Sequence, residues 1–231
     1  MDMEEQPRVM ALIPAYNEEK TIGGVVRKTM DHVDEVVVVD DGSSDDTRLV
    51  AEDAGARVIQ LVFNLGIGGA QMTGYRYAVR NSYDIIAQLD SDGQHDPSYI
   101  PDMVMKIEEG CDMVIGSRFL NASHKKYSPV RVAGIRFFSV VARYLGGTHI
   151  KDITSGYRVY RVEALKRLSE LPAKSWAVEQ TLEAMKRGLT LREVSVPMPV
   201  RRTGQSQFNL KKFIRYPFYV VERITRVLIW R

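Results

Sequence analysis

The sharpest chemical feature of the chain is Asp90-Ser91-Asp92-Gly93-Gln94-His95-Asp96, which directly follows the apolar run Ile85–Leu89. Two carboxylates two residues apart at a strand end can turn toward one hard cation. Such a cation prefers oxygen ligands and keeps positions open for phosphate. Mg²⁺ or Mn²⁺ held this way would neutralise charge growing on a departing diphosphate. The plain alternative is an acidic turn that opens a helix at Pro97. A second polar cluster, Asp40-Asp41-Gly42-Ser43-Ser44-Asp45-Asp46-Thr47, follows a run of four valines. A carboxylate there can accept hydrogen bonds from a base N–H or a ribose hydroxyl, and the cluster also reads as a simple strand-to-helix turn with Ser44 as N-cap.

Asn64-Leu65-Gly66-Ile67-Gly68-Gly69-Ala70 looks like a phosphate loop but fits neither usual fingerprint. Gln71 stands where G-x-G-x-x-G needs its last glycine, and the Gly-Lys-Ser/Thr of a P-loop is missing. Hydride transfer and P-loop NTPase chemistry are therefore disfavoured. The glycines instead suit close approach of a helix start to a ligand or to the sheet.

These clusters need elements to position them. Val9–Ile13, Glu35–Val39, Arg57–Leu61, Asp84–Leu89 and Asp112–Ile115 read as strands. Helical patterns cover about 18–30, a stretch starting at Ser44, 69–81 and 97–109. Uninterrupted β-branched runs separated by helices predict a mostly parallel sheet with helices on both faces. In such sheets ligands bind beyond the carboxyl ends of the strands, where the polar clusters fall. The second half is less regular: helices over 130–145 and 177–187, strands over 157–160 and 189–196, and one or two helices over 208–230 broken near Pro217.

In order, spacing and placement, four motifs closely resemble the inverting family 2 glycosyltransferases of the GT-A fold. They are Ile13-Pro14-Ala15-Tyr16-Asn17-Glu18-Glu19, Val39 to Thr47, Asn64-Leu65-Gly66 and Asp90 to His95. Gly116-Ser117-Arg118, Asp152 to Arg158 and Val196-Pro197 are similar to the dolichol-phosphate mannose synthase type, the polyprenyl-phosphate sugar synthases. The resemblance implies a Rossmann-like GT-A domain over residues 1–205 and a basic amphipathic segment over 206–231. It further implies a nucleotide site of Pro14, Tyr16 and Glu18 along base and ribose, Asp41 on the base, and Gly66 and Asp90. Asp90 and Asp92 would hold Mg²⁺ or Mn²⁺, with Gln94 completing the metal shell. Asp92 and Arg118 would be the catalytic pair, with Arg118 gripping a phosphate bidentately. Lys125, Arg158, Arg202 and Ser206 would serve the acceptor phosphate or a loop closing over the donor, with Arg201 in that loop and Gly204 as its hinge.

A phosphate acceptor is largely ionised near pH 7, with a second pKa of about 6, so it needs cations rather than a general base. The formal charge of +3 is too small to imply a nucleic-acid partner. Its distribution is informative. Eight Lys/Arg against the single acid Glu222 lie from Arg201 onward, and Lys125, Lys126, Arg131, Arg136 and Arg143 fall in an acid-free stretch over 121–147. Aromatic residues are interleaved with them: Phe137 and Phe138, then Phe208, Phe213, Tyr216, Phe218, Tyr219 and Trp230. That pattern suits a helix lying in a membrane interface. The lone Cys111 points to a reducing compartment. The polar start MDMEEQPR lacks a signal-peptide core, and no run of about 18 apolar residues occurs, which gives a cytoplasmic enzyme lying on the membrane rather than through it.

The expected reaction is transfer of a hexose from a GDP-mannose- or UDP-glucose-type donor to a polyprenyl or dolichyl phosphate. A membrane surface or an integral-membrane partner would attend it. Two other readings stand beside it. One glycosylates a soluble small molecule or a saccharide hydroxyl, with Glu179 or Asp152 as base. The other is a non-catalytic nucleotide-sugar-binding subunit, against which the intact Asp90 and Asp92 argue.

Overall fold

The valine run after Glu35 becomes one strand of a seven-stranded sheet, and every residue from Val36 to Asp40 is buried. The computed structural model describes residues 6–120, 129–146, 149–168 and 177–199. In chain order its elements are β1 (Val9–Ala15), α1 (Ile22–Met30), β2 (Glu35–Asp40), α2 (Thr47–Asp53), β3 (Arg57–Gln60), α3 (Ile67–Arg80) and β4 (Ile85–Gln88). A 3₁₀ turn (Pro97–Tyr99), α4 (Ile100–Glu108), β5 (Met113–Ser117), α5 (Pro129–Gly146), β6 (Arg158–Arg161), α6 (Val162–Arg167), α7 (Ala177–Lys186) and β7 (Leu191–Ser195) complete it.

The strand order is β3-β2-β1-β4-β6-β5-β7, parallel throughout except for β6, which runs antiparallel between β4 and β5. Alternating side chains feed two cores. Leu12, Val37 and Val39 pack with α3, α6 and α7 on one face, while Ala11, Ile13, Val36 and Val38 pack with α1, α2 and α4 on the other. Each buried aliphatic side chain is worth about 1.5–3 kcal/mol over exposure. A sheet buried on both faces therefore holds its strand ends firmly. Because β1, β2, β3, β4 and β5 are parallel, the loops that follow them all emerge on one edge.

Several boundaries differ from the sequence expectation. Helix α1 starts at Ile22 rather than near Glu18, because the Glu18 carbonyl accepts the N–H groups of Thr21 and Ile22 in a preceding turn. Ser44 is not the cap of α2. That helix begins at Thr47, and Asp45 Oδ1 accepts both Thr47 N–H (3.1 Å) and Thr47 Oγ1–H (2.5 Å). The Ser44 N–H instead donates to Asn17 Oδ1 (2.9 Å). The short α6 has no counterpart in the sequence pattern described above. The expected helices over 208–230, and with them the segment 206–231, lie outside the described residues.

Candidate active site

The first group of candidate residues lies where β1, β2 and the start of α3 meet. Pro14 is buried in β1 opposite Val39, whereas Tyr16, two residues on, is 38% exposed. Asn17 takes a left-handed conformation (φ 53°) and ties the two loops together: its N–H donates to Ser43 Oγ (2.9 Å), and its Oδ1 accepts from Ser44. The Glu18 N–H donates to Thr47 Oγ1 (2.7 Å), and its carboxylate accepts from Thr21 Oγ1 (3.0 Å). Asp41 is almost fully buried. Its Oδ1 accepts Leu65 N–H (2.7 Å) and its Oδ2 accepts Gly66 N–H (2.9 Å), so one carboxylate sets the entry to α3. Burial pushes the Asp41 carboxyl above the usual range and neighbouring Asp40 adds to this, while the two amides pull the other way. Gly42, with φ of 73°, lies so close to the 63–64 backbone that a Cβ would come within 3.0 Å of Asn64 N. Only glycine fits that loop-on-loop contact.

The second group lies beyond β4. The Asp90 side chain is 39% exposed, and among the described residues no Lys or Arg lies within ion-pair distance of it. The Asp90 N–H donates to His95 Nδ1 (3.0 Å), and His95 Nε2 lies 3.6 Å from Asp90 Oδ2. Room for the carboxylate comes from Gly156, where a Cβ would stand 3.3 Å from Asp90 Oδ1. Asp92 Oδ1 accepts Gln94 N–H (3.0 Å), and the Gln94 amide donates to the Pro199 carbonyl (2.6 Å). Asp96 caps the 3₁₀ turn by accepting Ser98 N–H (3.1 Å). No group of three or more His, Cys, Asp or Glu gathers at one point among the described residues. A divalent ion here would thus have two carboxylates and an amide oxygen, with the rest of its shell supplied by a ligand. That donor set and the room beside Gly156 fit Mg²⁺ or Mn²⁺.

The arginines of the second half lie elsewhere than expected. Arg118 is buried, and its bidentate partner is Asp152 rather than a phosphate: Nε to Oδ2 and Nη2 to Oδ1, both 2.6 Å. The Arg118 N–H and Thr154 Oγ1 tighten the same pair. Arg158 is fully buried and donates to the carbonyls of Ser155, Ile153 and Ala177 and to Thr181 Oγ1. Its charge is spent on shaping the 153–155 turn, so it is not a phosphate ligand. Asp152, locked in the ion pair at 0% exposure, is equally unsuited to act as a general base. Glu179 is also buried. Lys125, Lys126, Arg201, Arg202, Gly204 and Ser206 lie outside the described residues.

Comparison with known proteins decides the family. The model of the glycosyl transferase family 2 matches residues 10–169. The chain belongs to that family. An undecaprenyl-phosphate mannosyltransferase of Micrococcus luteus is 31% identical over 215 residues, which is 87% of this chain and 88% of the relative. A UDP-N-acetylglucosamine–dolichyl-phosphate N-acetylglucosaminyltransferase of Methanococcus voltae is 34% identical over 211 residues, covering 81% and 84%. Among solved structures, glucosyl-3-phosphoglycerate synthase from Mycobacterium tuberculosis, crystallised with Mn²⁺, UDP and glucosyl-3-phosphoglycerate, superposes with a TM-score of 0.75. It covers 96% of this chain and 80% of that one at 24% identity. At that identity the likeness establishes the GT-A fold.

In this family 2 glycosyltransferase the acidic turn is backed by residues that sequence reading left without a role. Gln88 accepts Tyr75 O–H (2.5 Å) and donates to the Gly156 carbonyl (3.0 Å), which fixes the wall beside Asp90. Tyr157 O–H donates to the Asp96 carbonyl (2.9 Å), and burial pushes its phenol well above the ordinary range. Glu193 accepts Lys151 N–H and Asp152 N–H, both 2.9 Å, and burial raises its carboxyl pKa. A polar residue closing an otherwise apolar strand, as Gln88 closes β4, is the one signal that could have drawn attention to this wall.

Proposed function

We propose that the chain transfers a hexose from a nucleoside-diphosphate sugar to a polyprenyl or dolichyl phosphate, with inversion at the anomeric carbon. The observation that carries this reading is the half-open Asp90 carboxylate beside Asp92 on the edge where the loops after β1 and β2 meet the start of α3. The polyprenyl- and dolichyl-phosphate transferases among the relatives support the acceptor class.

Tyr16 offers an exposed ring at the base position, with Pro14 and Glu18 beside it. Asp41 holds Gly66 and the start of α3, and a carboxylate already accepting two N–H groups still has lone pairs for a base. The N–H groups at the start of α3 face the edge where a diphosphate would lie. Asp90, Asp92 and Gln94 would hold Mg²⁺ or Mn²⁺, which when bound supplies Lewis-acid stabilisation of the leaving diphosphate. An acceptor phosphate oxygen forms the bond to the anomeric carbon as the bond to the diphosphate oxygen breaks, and the leaving nucleoside diphosphate takes the electron pair. No proton has to be removed, which agrees with Asp152 being closed off. Cations for the acceptor would come from Lys125 and Arg202, with Ser206, in place of Arg118 and Arg158.

Helix α5 supports a peripheral membrane position. Phe137, Val140 and Tyr144 are exposed on one side of it at 55%, 50% and 85%, with Arg136 and Arg143 exposed nearby. Such a face suits anionic headgroups over an acyl boundary. Residues 206–231 would add a second basic contact. No described helix is long and apolar enough to cross a membrane.

The test is an assay of UDP-glucose and GDP-mannose against short-chain polyprenyl phosphate in the presence of Mg²⁺ or Mn²⁺. Lipid-linked sugar that is lost with Asp92→Ala supports the proposal. Faster transfer to a soluble hydroxyl acceptor than to the lipid phosphate would refute it.

A further inference from the structure

His95 contacts one residue twice. Its Nδ1 accepts the Asp90 backbone N–H at 3.0 Å, which leaves the ring proton on Nε2, and Nε2 lies 3.6 Å from Asp90 Oδ2. The imidazole is 5% exposed and stacked on the Tyr157 ring, with centroids 4.9 Å apart and planes 13° apart. Tyr157 is in turn anchored by its O–H to the Asp96 carbonyl at 2.9 Å. The ring therefore cannot swing away without breaking the stack. On its other side the Asp90 carboxylate meets Gly156, whose φ is not in the left-handed region, so glycine is there for clearance rather than for its backbone. The imidazole edge 3.6 Å from one oxygen and the bare Cα of Gly156 beside the other leave the carboxylate little rotational choice.

We propose that His95 is a positioning residue that aims the Asp90 carboxylate at the divalent ion, acting through Asp90 and not on the substrate. The inference rests on the metal reading above. Partners that orient a metal-ligating side chain typically change metal affinity by about 10–100-fold when lost.

The two ring nitrogens can be tested apart. Gln at position 95 can place an N–H near the Nε2 position, whereas Asn can keep only an acceptor for the Asp90 N–H. Mn²⁺ affinity is read from the loss of the free-ion EPR signal, with saturating UDP in one series and GDP in another. Thermal midpoints are taken on the same samples. His95→Asn is expected to weaken Mn²⁺ binding about 10-fold or more, while His95→Gln stays within about 3-fold of wild type at a similar midpoint. Gly156→Ala, which touches neither ring nitrogen, is expected to weaken Mn²⁺ binding as well, because its methyl displaces the carboxylate. Unchanged Mn²⁺ affinity in both His95→Asn and Gly156→Ala overturns the proposal. So does loss in both His95 variants that merely follows a lowered midpoint. Asp90→Asn separates the two levels. If it weakens binding while the His95 and Gly156 variants do not, positioning fails and the metal site stands. If it binds Mn²⁺ like wild type, the metal reading itself fails and takes the proposal with it.

Discussion

The edge loops after β1–β4 and the turn from Asp152 to Arg158 use the same residue types for different ends. In the turn, Asp152 and Arg118 neutralise each other at 0% and 7% side-chain exposure, and Arg158 satisfies four backbone or hydroxyl acceptors. At the edge, Asp90 keeps a 39% exposed carboxylate with cleared space beside it. A charge whose hydrogen-bonding demand is met by the protein builds the fold. A charge left half-open on the ligand edge is available for chemistry. Asp41 stands between them, buried and hydrogen-bonded yet setting the entry to α3 at the edge of the sheet.

The sharpest way to break this contrast is to remove one partner of the buried pair. Asp152→Ala removes the carboxylate that holds the buried Arg118 guanidinium and should cost about 3–5 kcal/mol in denaturant-induced unfolding. A cost below about 1 kcal/mol would mean that Arg118 is free to turn toward a ligand after all. Asp92→Ala should do the opposite, lowering kcat/KM at least about 1000-fold, or ~4 kcal/mol, with little change in unfolding. Comparable activity in the variant would return the acidic turn to a purely structural role.

Asp41→Ala tests the intermediate case. Loss of the carboxylate that holds Leu65 and Gly66 should raise the donor KM about 10-fold, roughly 1.4 kcal/mol, with a smaller effect on kcat. An unchanged KM would place the base elsewhere.

How legible this was in the sequence divides along the same line. Asp90 and Asp92 follow an apolar strand directly, so their edge position could be read from local order. The roles of Arg118 and Arg158 could not. The partner of Arg118 lies 34 residues away, and Arg158 sits on β6, which inserts antiparallel between β4 and β5. No local pattern encodes that insertion. Ser44 failed as a cap for a smaller reason: Asp45, one residue on, offers a stronger acceptor to Thr47, and Ser44 is drawn to Asn17.

The smallest expected effect concerns pH. Burial opposes the charge on Glu35, but hydrogen bonds from Tyr83, Arg57 and Tyr77 outweigh it and hold the carboxyl below its usual 4.5. Because the folded pKa is depressed, this stabilisation is present above pH 4.5 and is lost as pH falls through the folded value. Glu193 has the opposite sign: its raised pKa favours the folded state in acid, and that contribution fades as pH rises through the folded value above 4.5. Unfolding followed from pH 6 down to about pH 3 should therefore fall off less steeply in Glu35→Gln than in wild type. Identical slopes would show that the tyrosine and arginine contacts do not favour the charged form.

Whether Asp90 and Asp92 form a metal-dependent nucleotide site is tested most directly by a thermal-shift comparison of wild type and Asp92→Ala. Each would be measured with UDP and with GDP, in the presence and absence of Mn²⁺. A ligand present at about 100 times its Kd stabilises the folded state by roughly 2.7 kcal/mol, enough to move the midpoint by several degrees. Such a shift is expected for one nucleotide, only with Mn²⁺ and only in wild type. An equal shift in Asp92→Ala, or a nucleotide shift indifferent to Mn²⁺, would contradict it.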